Sequence, residues 1–572
     1  MPLSTLPETP DWDALDAHKF IDEEQYVESL LADLPIAGEA RAQALRRGRE
    51  LVETARRRGR RKGMMESFLE EFGLSNSEGL ALMCLAEALL RVPDAATRDE
   101  LIAEKIRSGD WGAHAGQSDS WLVNASTWGL MLTGRVIGPP AEATQKSPGN
   151  FLSGLIRQSG EPVIRAAMLQ AMRIMGEQFV LGRDVQSALR RGDRMRQAGE
   201  AAHFSFDMLG EGARTAEDAA RYFAAYEGAI AAIAEVKDPA LPPEEASGVS
   251  VKLTALHPRY EAVHETRVMD ELYPRILELC EQAAAANINL CLDAEEADRL
   301  VISLKVFERL AREPSLEGWS GLGLAVQAYQ KRALGVINML ASLARETGRR
   351  FMVRLVKGAY WDTEIKHAQE MGFPNFPVFT TKSGTDLSYL ACAKAMLEAA
   401  PHLYPQFATH NAHSLAAVEL MAAEAGSPAF EYQRLHGMGE PLYDAAGAGG
   451  KVRVYAPVGA HEDLLPYLVR RLLENGANTS FVHSFLDPDV PVEQVVPDLF
   501  ATLEAGPRRH PQIPTPPRLY GPERRNSAGL DLTRAETRTH IRDAVKLFRD
   551  GPVISAGPVV SGEARTEDGQ MR

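Results

Sequence analysis

The middle of the chain alternates between short apolar runs and longer stretches in which apolar residues recur every three or four positions. The short runs, rich in Val, Ile, Leu and Phe, predict β-strands, and the longer amphipathic stretches predict α-helices. The predicted strands cover residues 203–210, 249–256, 288–294, 322–329, 351–360, 406–411, 430–437 and 451–457. Helices predicted between them, at 216–234, 268–286, 297–312 and 331–347, are long enough for crossovers between parallel strands.

Eight strand–helix units over roughly 300 residues predict an α/β fold, a (βα)8 TIM barrel. An open doubly wound sheet is the alternative. That fold ordinarily carries a glycine-rich GxGxxG turn after its first strand. The sequence MLGEG at 208–212 lacks that spacing, so we expect the barrel.

The residues before the barrel follow a helical pattern only. Apolar spacing predicts helices over 77–91 and 97–107 and a loop over 137–149. We therefore expect an N-terminal arm with short helical pieces (1–50) and an all-α satellite domain (51–137). A linker with helices (138–195) would lead to the barrel (196–500), and a second linker (501–572) would follow it.

Charge and cysteine content narrow the range of functions. The formal net charge of −15 argues against nucleic acid as a partner, and the basic run at 56–62 is typical of a solvated helix face. The four cysteines lack metal-ligand or CxxC spacing, which predicts a reducing cytoplasm and no metal site. The N-terminus has no signal-peptide pattern, and no apolar run approaches the about 18 residues that a membrane span needs.

Polar residues follow the predicted strands at their C-terminal ends, where TIM-barrel enzymes carry their active sites. Taken singly, Lys252 could be an ion-pair partner of Glu211 or Asp293, and His410 could be a structural histidine. Taken together, the polar residues at the strand ends suit a site for a polar ligand beside a larger planar one. The set comprises Glu211, Lys252, Asp293, Gln327, Arg354, Lys357, Tyr360, His410, Asn411, Arg434, His436 and Tyr455.

Two short segments have a composition that suits phosphate. Gly358 would let backbone amides approach a ligand closely, although it could serve only a turn. Residues 380–383 place hydroxyls, a cation and amides in a row, which also fits an ordinary loop.

A helix predicted directly after the eighth strand has a polar stripe. On a helix turning about 100° per residue, Tyr467, Arg470, Arg471 and Glu474 share one face, opposite a leucine-rich face. Adjacent guanidiniums offer forked donors for a carboxylate or phosphate, and a solvated surface is the alternative. Because this helix directly follows the eighth strand, we expect its polar stripe to face the barrel mouth.

Several of these segments resemble one known family. They are VKLTAL (251–256), QAYQK (327–331), VRLVKGAYW (353–361), ATHN (408–411) and the pattern Tyr467-x-x-Arg470-Arg471-x-x-Glu474. Together they resemble the proline dehydrogenase domain of the bacterial proline utilisation A proteins, in the family's order, over about residues 60–500.

The resemblance implies a distorted (βα)8 barrel that holds FAD and oxidises L-proline to Δ1-pyrroline-5-carboxylate. It implies that the electrons pass to a membrane quinone, which would bring a cytoplasmic protein into transient peripheral contact with the inner face of the cell membrane. No sequence feature indicates the oligomeric state.

The resemblance also implies residue roles. Arg470 and Arg471, aided by Lys252, would clamp the proline carboxylate, and Glu211 would hold one arginine of that clamp. Arg354 would donate to flavin N5. The proline ring would be walled by Asp293, Tyr360, Leu435, Tyr455 and Tyr467. The cofactor would contact Ala294, Gln327, Val356, Lys357, Gly358, Ala359, Trp361, Thr380, Thr381, Lys382, His410, Asn411, Gln433, Glu474, Ser480 and Phe481.

The two ends of the chain depart from the family pattern. Some members begin with a ribbon-helix-helix DNA-binding segment, and the acidic start here does not resemble one. The segment YGPERRNSAGLDL (520–532) resembles the start of the family's aldehyde dehydrogenase module, with about 40 residues after it. We therefore expect a truncated module without aldehyde dehydrogenase activity, and a tail largely disordered beyond about residue 550.

Two other functions remain open from the residues themselves. A class I aldolase-type lyase would use Lys252 or Lys357 as a Schiff-base amine, which requires a lysine with a depressed pKa. A DNA-binding regulator would use the basic run at 56–62, and the net charge disfavours it.

Overall fold

Eight parallel strands close into a barrel in which the first strand pairs with the last. The computed structural model describes residues 10–33, 35–36, 38–58, 180–459, 485, 490–551 and 559–564. The strands are β1 (His203–Met208), β2 (Gly248–Val251), β3 (Leu290–Leu292), β4 (Leu322–Gln327), β5 (Phe351–Val356), β6 (Leu403–Ala408), β7 (Glu431–Leu435) and β8 (Val452–Val458). The predicted α/β barrel is confirmed.

Helices surround the barrel and connect its strands. Before the barrel lie α1 (Trp12–Asp16), α2 (Glu23–Ala32), α3 (Gly38–Arg58) and α4 (Val185–Gln197). Between the strands lie α5 (Ala216–Val236), α6 (Leu253–Leu256), α7 (Tyr273–Ala285), α8 (Leu300–Ala311), α9 (Ala333–Thr347), α10 (Trp361–Met371), α11 (Lys382–Glu398), α12 (Ala412–Glu424) and α13 (Glu440–Ala446). After the barrel lie α14 (Val492–Val495), α15 (Leu499–Ala505), α16 (Ala535–Asp550) and the strand pair β9 (Val559–Val560) and β10 (Glu563–Ala564).

The predicted strand over 249–256 is wrong in its second half. The strand ends at Val251, and Leu253–Leu256 is helical. The backbone N–H of Thr254 donates to Glu295 Oε2 at 3.3 Å, and its hydroxyl donates to Glu295 Oε1. This contact with the segment after β3 overrides the β propensity of the sequence.

Other strands end before polar loops. β1 ends at Met208 and β5 at Val356, ahead of Gly210 and Gly358, whose φ angles are 135° and 146°. Glycine readily adopts such angles, and an extended strand cannot continue through them. The polar residues predicted at the strand ends therefore lie mostly in the loops of the barrel mouth.

The barrel interior is polar, whereas the outer strand faces are mostly apolar. In β1, Phe204 and Phe206 pack in the hydrophobic core, while Ser205 and Asp207 face the interior and make hydrogen bonds to Ser250 of the neighbouring β2 and to Lys252 directly after it. Deeper inside, Arg453 binds Glu431 with two hydrogen bonds, Nε to Oε1 at 2.7 Å and Nη2 to Oε2 at 3.0 Å. Pairing of this kind offsets the cost of burying a charge. The barrel interior can therefore hold charged side chains below the mouth.

Some predicted regions lie outside the described residues. The all-α satellite domain is described only at 51–58, where it continues α3, and most of the following linker is not described. The helix predicted at 466–474 and the residues from 565 onward also lie outside. Within the described ranges, no helix is long and apolar enough to cross a membrane.

Candidate functional site

Lys252 lies directly after β2 at the centre of a buried cluster. Its Nζ donates to Asp207 Oδ1 at 2.6 Å, and to Asp293 Oδ2 and the Tyr455 hydroxyl at 3.2 Å each. Burial lowers the pKa of Lys252, but these three neighbours outweigh it and hold the pKa well above its ordinary value. The lysine is therefore a cation, which argues against its use as a Schiff-base amine.

Asp293, after β3, connects Lys252 to two further groups. Its Oδ2 accepts a hydrogen bond from the Tyr455 hydroxyl at 2.7 Å, and its Oδ1 accepts one from Arg354 Nη1 at 2.8 Å. Burial would raise the pKa of this carboxyl, but Lys252 and Arg354 hold it below its ordinary value. The carboxylate is thus ionised between two cations.

Arg354 lies on β5 with its guanidinium inside the barrel. Its Nε donates to Gln433 Oε1 at 2.7 Å, and its Nη2 donates to the hydroxyls of Ser205 and Ser250 at 3.0 and 2.9 Å. The ring centroid of Tyr455 is 5.2 Å from its Cζ. The side chain is only 4% exposed, so its orientation is determined by contacts from several strands.

The loop after β5 lies against the end of β4. Gln327 Nε2 donates to the Glu295 carbonyl at 2.8 Å, and Gln327 Oε1 accepts from the Ala359 N–H at 3.2 Å. Gly358 has room only for hydrogen, because a Cβ there would lie 2.4 Å from the Tyr329 ring. The loop therefore needs glycine for both its φ angle and its packing.

The amino ends of α11 and α12 lie on the same side of the barrel. The Thr381 hydroxyl accepts from the Gly384 N–H at 3.1 Å, and Asn411 Oδ1 accepts from the Ser414 N–H at 3.0 Å. Both side chains are N-caps, and the amino end of a helix favours a negatively charged group. Lys382 is the first residue of α11.

Other candidate residues have protein partners. Lys357 pairs with Asp386, Trp361 Nε1 donates to the Phe379 carbonyl at 2.8 Å, and His410 Nε2 accepts from the Leu435 N–H at 3.2 Å. Thr380 is buried. His436 is buried, with 3% exposure. The other candidates are half-buried at the mouth: Glu211, Ala294, Val356, Ala359, Tyr360 and Leu435.

Not every residue at a predicted strand end joins the mouth. Arg434 is directed away from the barrel interior and donates to Glu440 Oε1 at 2.6 Å, because it alternates with Gln433 along β7. Six candidates lie outside the described residues: Tyr467, Arg470, Arg471, Glu474, Ser480 and Phe481.

Three polar residues of the cluster escaped sequence reasoning. Asp207, Ser205 and Ser250 contact Lys252 or Arg354 inside the barrel. The first strand, HFSFDM, carries the signal, because its period of two places Ser205 and Asp207 on the face opposite the phenylalanines.

Comparison with known proteins identifies the family. A family model described as "Proline dehydrogenase" matches residues 188–484, which is 297 of the 572 residues. The chain belongs to the proline dehydrogenase family. The matched segment includes the whole barrel and every residue of the cluster around Lys252.

The bifunctional curated relatives of this proline dehydrogenase family member are longer than the chain. The "Bifunctional protein PutA" of Salmonella typhimurium is 48% identical over 92% of this chain and 41% of its own length. The "Proline dehydrogenase 2, mitochondrial" of Arabidopsis thaliana is 27% identical over 39% of this chain and 48% of its own length. The chain thus spans about two fifths of the length of the bifunctional relative.

A solved structure agrees with the fold. A crystal structure of a proline utilization A (PutA) mutant from Bradyrhizobium japonicum is 47% identical, with a TM-score of 0.69 over 96% of this chain and 54% of that one. A second family model, described as "DNA-binding domain of Proline dehydrogenase", matches residues 64–179, outside the described residues.

Proposed function

We propose that the chain binds FAD at the barrel mouth and oxidises L-proline to Δ1-pyrroline-5-carboxylate, with a catalytic barrel spanning 196–500. The observation that carries the proposal is the buried cluster of Lys252, Asp293 and Arg354 at the strand ends of a proline dehydrogenase family member. The reaction removes a hydride from proline C5 and a proton from its amine. FAD, when bound, supplies the acceptor for the hydride and transfers the electron pair to a quinone.

The groups around the mouth support a flavin dinucleotide. Gly358 leaves the loop after β5 without a side chain, which allows close approach of a ligand to the backbone. The cations of Lys357 and Lys382 and the capped amino ends of α11 and α12 suit a diphosphate. We propose that the cofactor contacts are those that the family resemblance implies.

The substrate roles follow the same proposal. Lys252 would contribute its fixed positive charge to a carboxylate site completed by Arg470 and Arg471, with Glu211 holding one of those arginines. The ring would lie among Asp293 and the side chains of Tyr360, Leu435, Tyr455 and Tyr467. Arg354 would donate to flavin N5, and its hydrogen bonds to the serines and Gln433 make it a pre-organised donor.

Anaerobic reduction by L-proline tests the proposal. We expect the as-purified protein to show flavin absorbance that bleaches on addition of L-proline, with D-proline as the control. A protein without flavin absorbance, or a flavin that L-proline leaves oxidised, would contradict the proposal.

We also propose a quinone as the acceptor, reached by transient contact with the inner face of the membrane. A short-chain ubiquinone should reoxidise the proline-reduced protein rapidly, whereas NAD⁺ should not. Co-sedimentation with lipid vesicles should increase after reduction. Equal reoxidation by both acceptors would contradict the quinone assignment.

Nucleic-acid binding is a second candidate, because the family model that matches residues 64–179 is described as a DNA-binding domain. The net charge of −15 argues against it. A gel-shift titration decides it: retention of a DNA fragment that weakens steeply with salt would support binding, and no shift at low salt would exclude it.

A further inference from the structure

An N-terminal segment, residues 11–33, packs against the loop that follows β4 and the loop between α10 and α11. We call it the N-terminal strap. Asp16 in the strap forms a buried ion pair with Arg332, and Lys19 Nζ donates to Asp298 Oδ1 and Asp531 Oδ2 at 2.7 Å each. Because both cations are 1% exposed, the strap is part of the folded body.

The strap places one carboxylate on a loop of the mouth. Glu23 Oε1 accepts from the Thr380 N–H at 2.6 Å and from the Thr380 hydroxyl at 3.0 Å. Glu23 is 0% exposed. Burial raises the pKa of Glu23, and the nearby Lys331, whose Nζ donates to the Ile21 carbonyl at 3.1 Å, opposes that shift.

A segment beyond the barrel reaches the same threonine. The His510 N–H donates to Thr380 Oγ1 at 2.8 Å. The Thr380 hydroxyl therefore donates to Glu23 and accepts from His510. The rings of Tyr26 and Phe379 stack with centroids 5.8 Å apart and close the strap onto the loop.

Thr380 directly precedes the amino end of α11. The next residue, Thr381, is the N-cap, and Lys382 begins the helix. A shift of Thr380 would therefore move the cap, the lysine and the first-turn amides together. Neither Glu23 nor His510 belongs to residues 188–484, the segment that matches the family model.

We propose that Glu23 is a positioning residue for the cofactor: from outside the barrel, it holds the loop at Thr380 in the geometry that binds the phosphate part of FAD. This inference rests on the proposed function. It assigns part of the cofactor affinity to the N-terminal strap. Hydrogen bonds to a buried carboxylate are stronger than neutral ones, so their loss should be measurable in affinity.

Three variants of the full chain test the inference. Glu23→Ala removes both hydrogen bonds, Glu23→Gln keeps an acceptor oxygen without the charge, and Glu28→Ala removes an exposed carboxylate from the same helix. Each apoprotein is titrated with FAD by fluorescence quenching, and kcat and KM for proline are measured at saturating FAD.

We expect Glu23→Ala to raise the Kd for FAD by about tenfold or more, Glu23→Gln by less, and Glu28→Ala by under about twofold. At saturating FAD, kcat and KM should stay near those of the unmodified protein, because the substrate side of the mouth is unchanged. If Glu23→Ala does not fold, the Kd of the isosteric Glu23→Gln decides the matter.

An unchanged Kd in folded Glu23 variants would overturn the inference, as would a lower Tm without a change in Kd, which indicates a purely structural contact. Those outcomes leave the proposed function intact if the unmodified protein still holds flavin that L-proline reduces. Absence of flavin from the unmodified protein would overturn the proposed function itself.

Discussion

At the scale of single residues, two carboxylates share the ammonium of Lys252 and differ in their other partners. Asp293 also accepts from Arg354 and Tyr455, whereas Asp207 Oδ2 is buried without a hydrogen-bond partner in the described part of the chain. Burial raises the pKa of Asp207, and Lys252 opposes that shift. Since an unpaired buried oxygen is costly, we infer that Asp207 serves to hold Lys252 in place.

We predict that Asp207→Asn lowers kcat/KM for proline by about tenfold or more, because an amide cannot balance the Lys252 charge. The flavin content should not change. Asp193→Asn is the control, since that carboxylate is 49% exposed in a surface pair. Equal steady-state kinetics for the two variants would show that Asp207 has no part in catalysis.

Glu295 provides a prediction about pH. Burial raises the pKa of this carboxyl from 4.5 to about 7. The folded state therefore binds the proton more tightly than the unfolded chain does. The contribution of Glu295 to the unfolding free energy is fully present below pH 4.5 and is lost as the pH rises to about 7. The loss amounts to about 3 kcal/mol.

Glu295→Gln cannot titrate and should escape that loss. We expect the Tm of the variant, relative to the unmodified protein, to be higher at pH 8 than at pH 5. Other groups titrate alike in both proteins, so the comparison isolates Glu295. A Tm difference that does not vary with pH would contradict the prediction.

At the scale of elements, the loop after β5 joins the strand that carries Arg354 to the helix α10. Its conformation depends on Gly358 and on the hydrogen bond from the Ala359 N–H to Gln327. The loop after β2 is different, because a contact with Glu295 folds it into a helical turn. Long-range contacts thus shape both loops at the mouth.

We predict that Gly358→Ala lowers flavin content by about tenfold or more, since a Cβ would collide with the Tyr329 ring and the φ angle is unfavourable for alanine. Gly228→Ala, in the interior of α5 with nothing near its Cβ position, is the matched control. It should raise the unfolding free energy by about 0.5–1 kcal/mol. Full flavin occupancy of purified Gly358→Ala would refute the role of this glycine.

At the scale of the whole molecule, segments distant in sequence meet at Lys19. Its ammonium joins Asp531, from beyond the barrel, to Asp298, from the loop after β3, and also donates to the Thr533 hydroxyl at 2.9 Å. Asp298 has a pKa held low, against burial, by His367 and Lys19. The cluster ties both flanking segments to the barrel.

We predict that Lys19→Met lowers the unfolding free energy by about 3–5 kcal/mol, because it leaves buried carboxylates without their cation. Arg46→Met removes an exposed pair with Glu39 and should cost under about 1 kcal/mol. Urea unfolding curves compare the two. Similar midpoints for the two variants would mean that the buried cluster contributes no more to the unfolding free energy than a surface ion pair does.

The sequence by itself determined the barrel and the residues at its strand ends. Alternation of short apolar runs with amphipathic stretches reflects the local periods of strand and helix, which neighbouring residues encode. The motifs around Lys252 and Arg354 predicted the family, which the comparison confirmed. The predicted strand ends were less accurate, because glycine conformation and the Thr254–Glu295 contact decide where the pairing of neighbouring strands stops.

Only the tertiary structure decided which polar side chains meet. Lys252 binds Asp293, one of its two predicted partners, 41 residues away, and it also binds Asp207, 45 residues away, which the sequence did not indicate. Closure of the barrel sets such pairs, and no local period encodes the register between strands. The contact of Glu23 with Thr380 spans 357 residues and depends on packing of the strap against the finished barrel. The periodicity of the sequence determines whether a segment forms a strand or a helix. Contacts between residues so far apart in sequence depend on the fold as a whole.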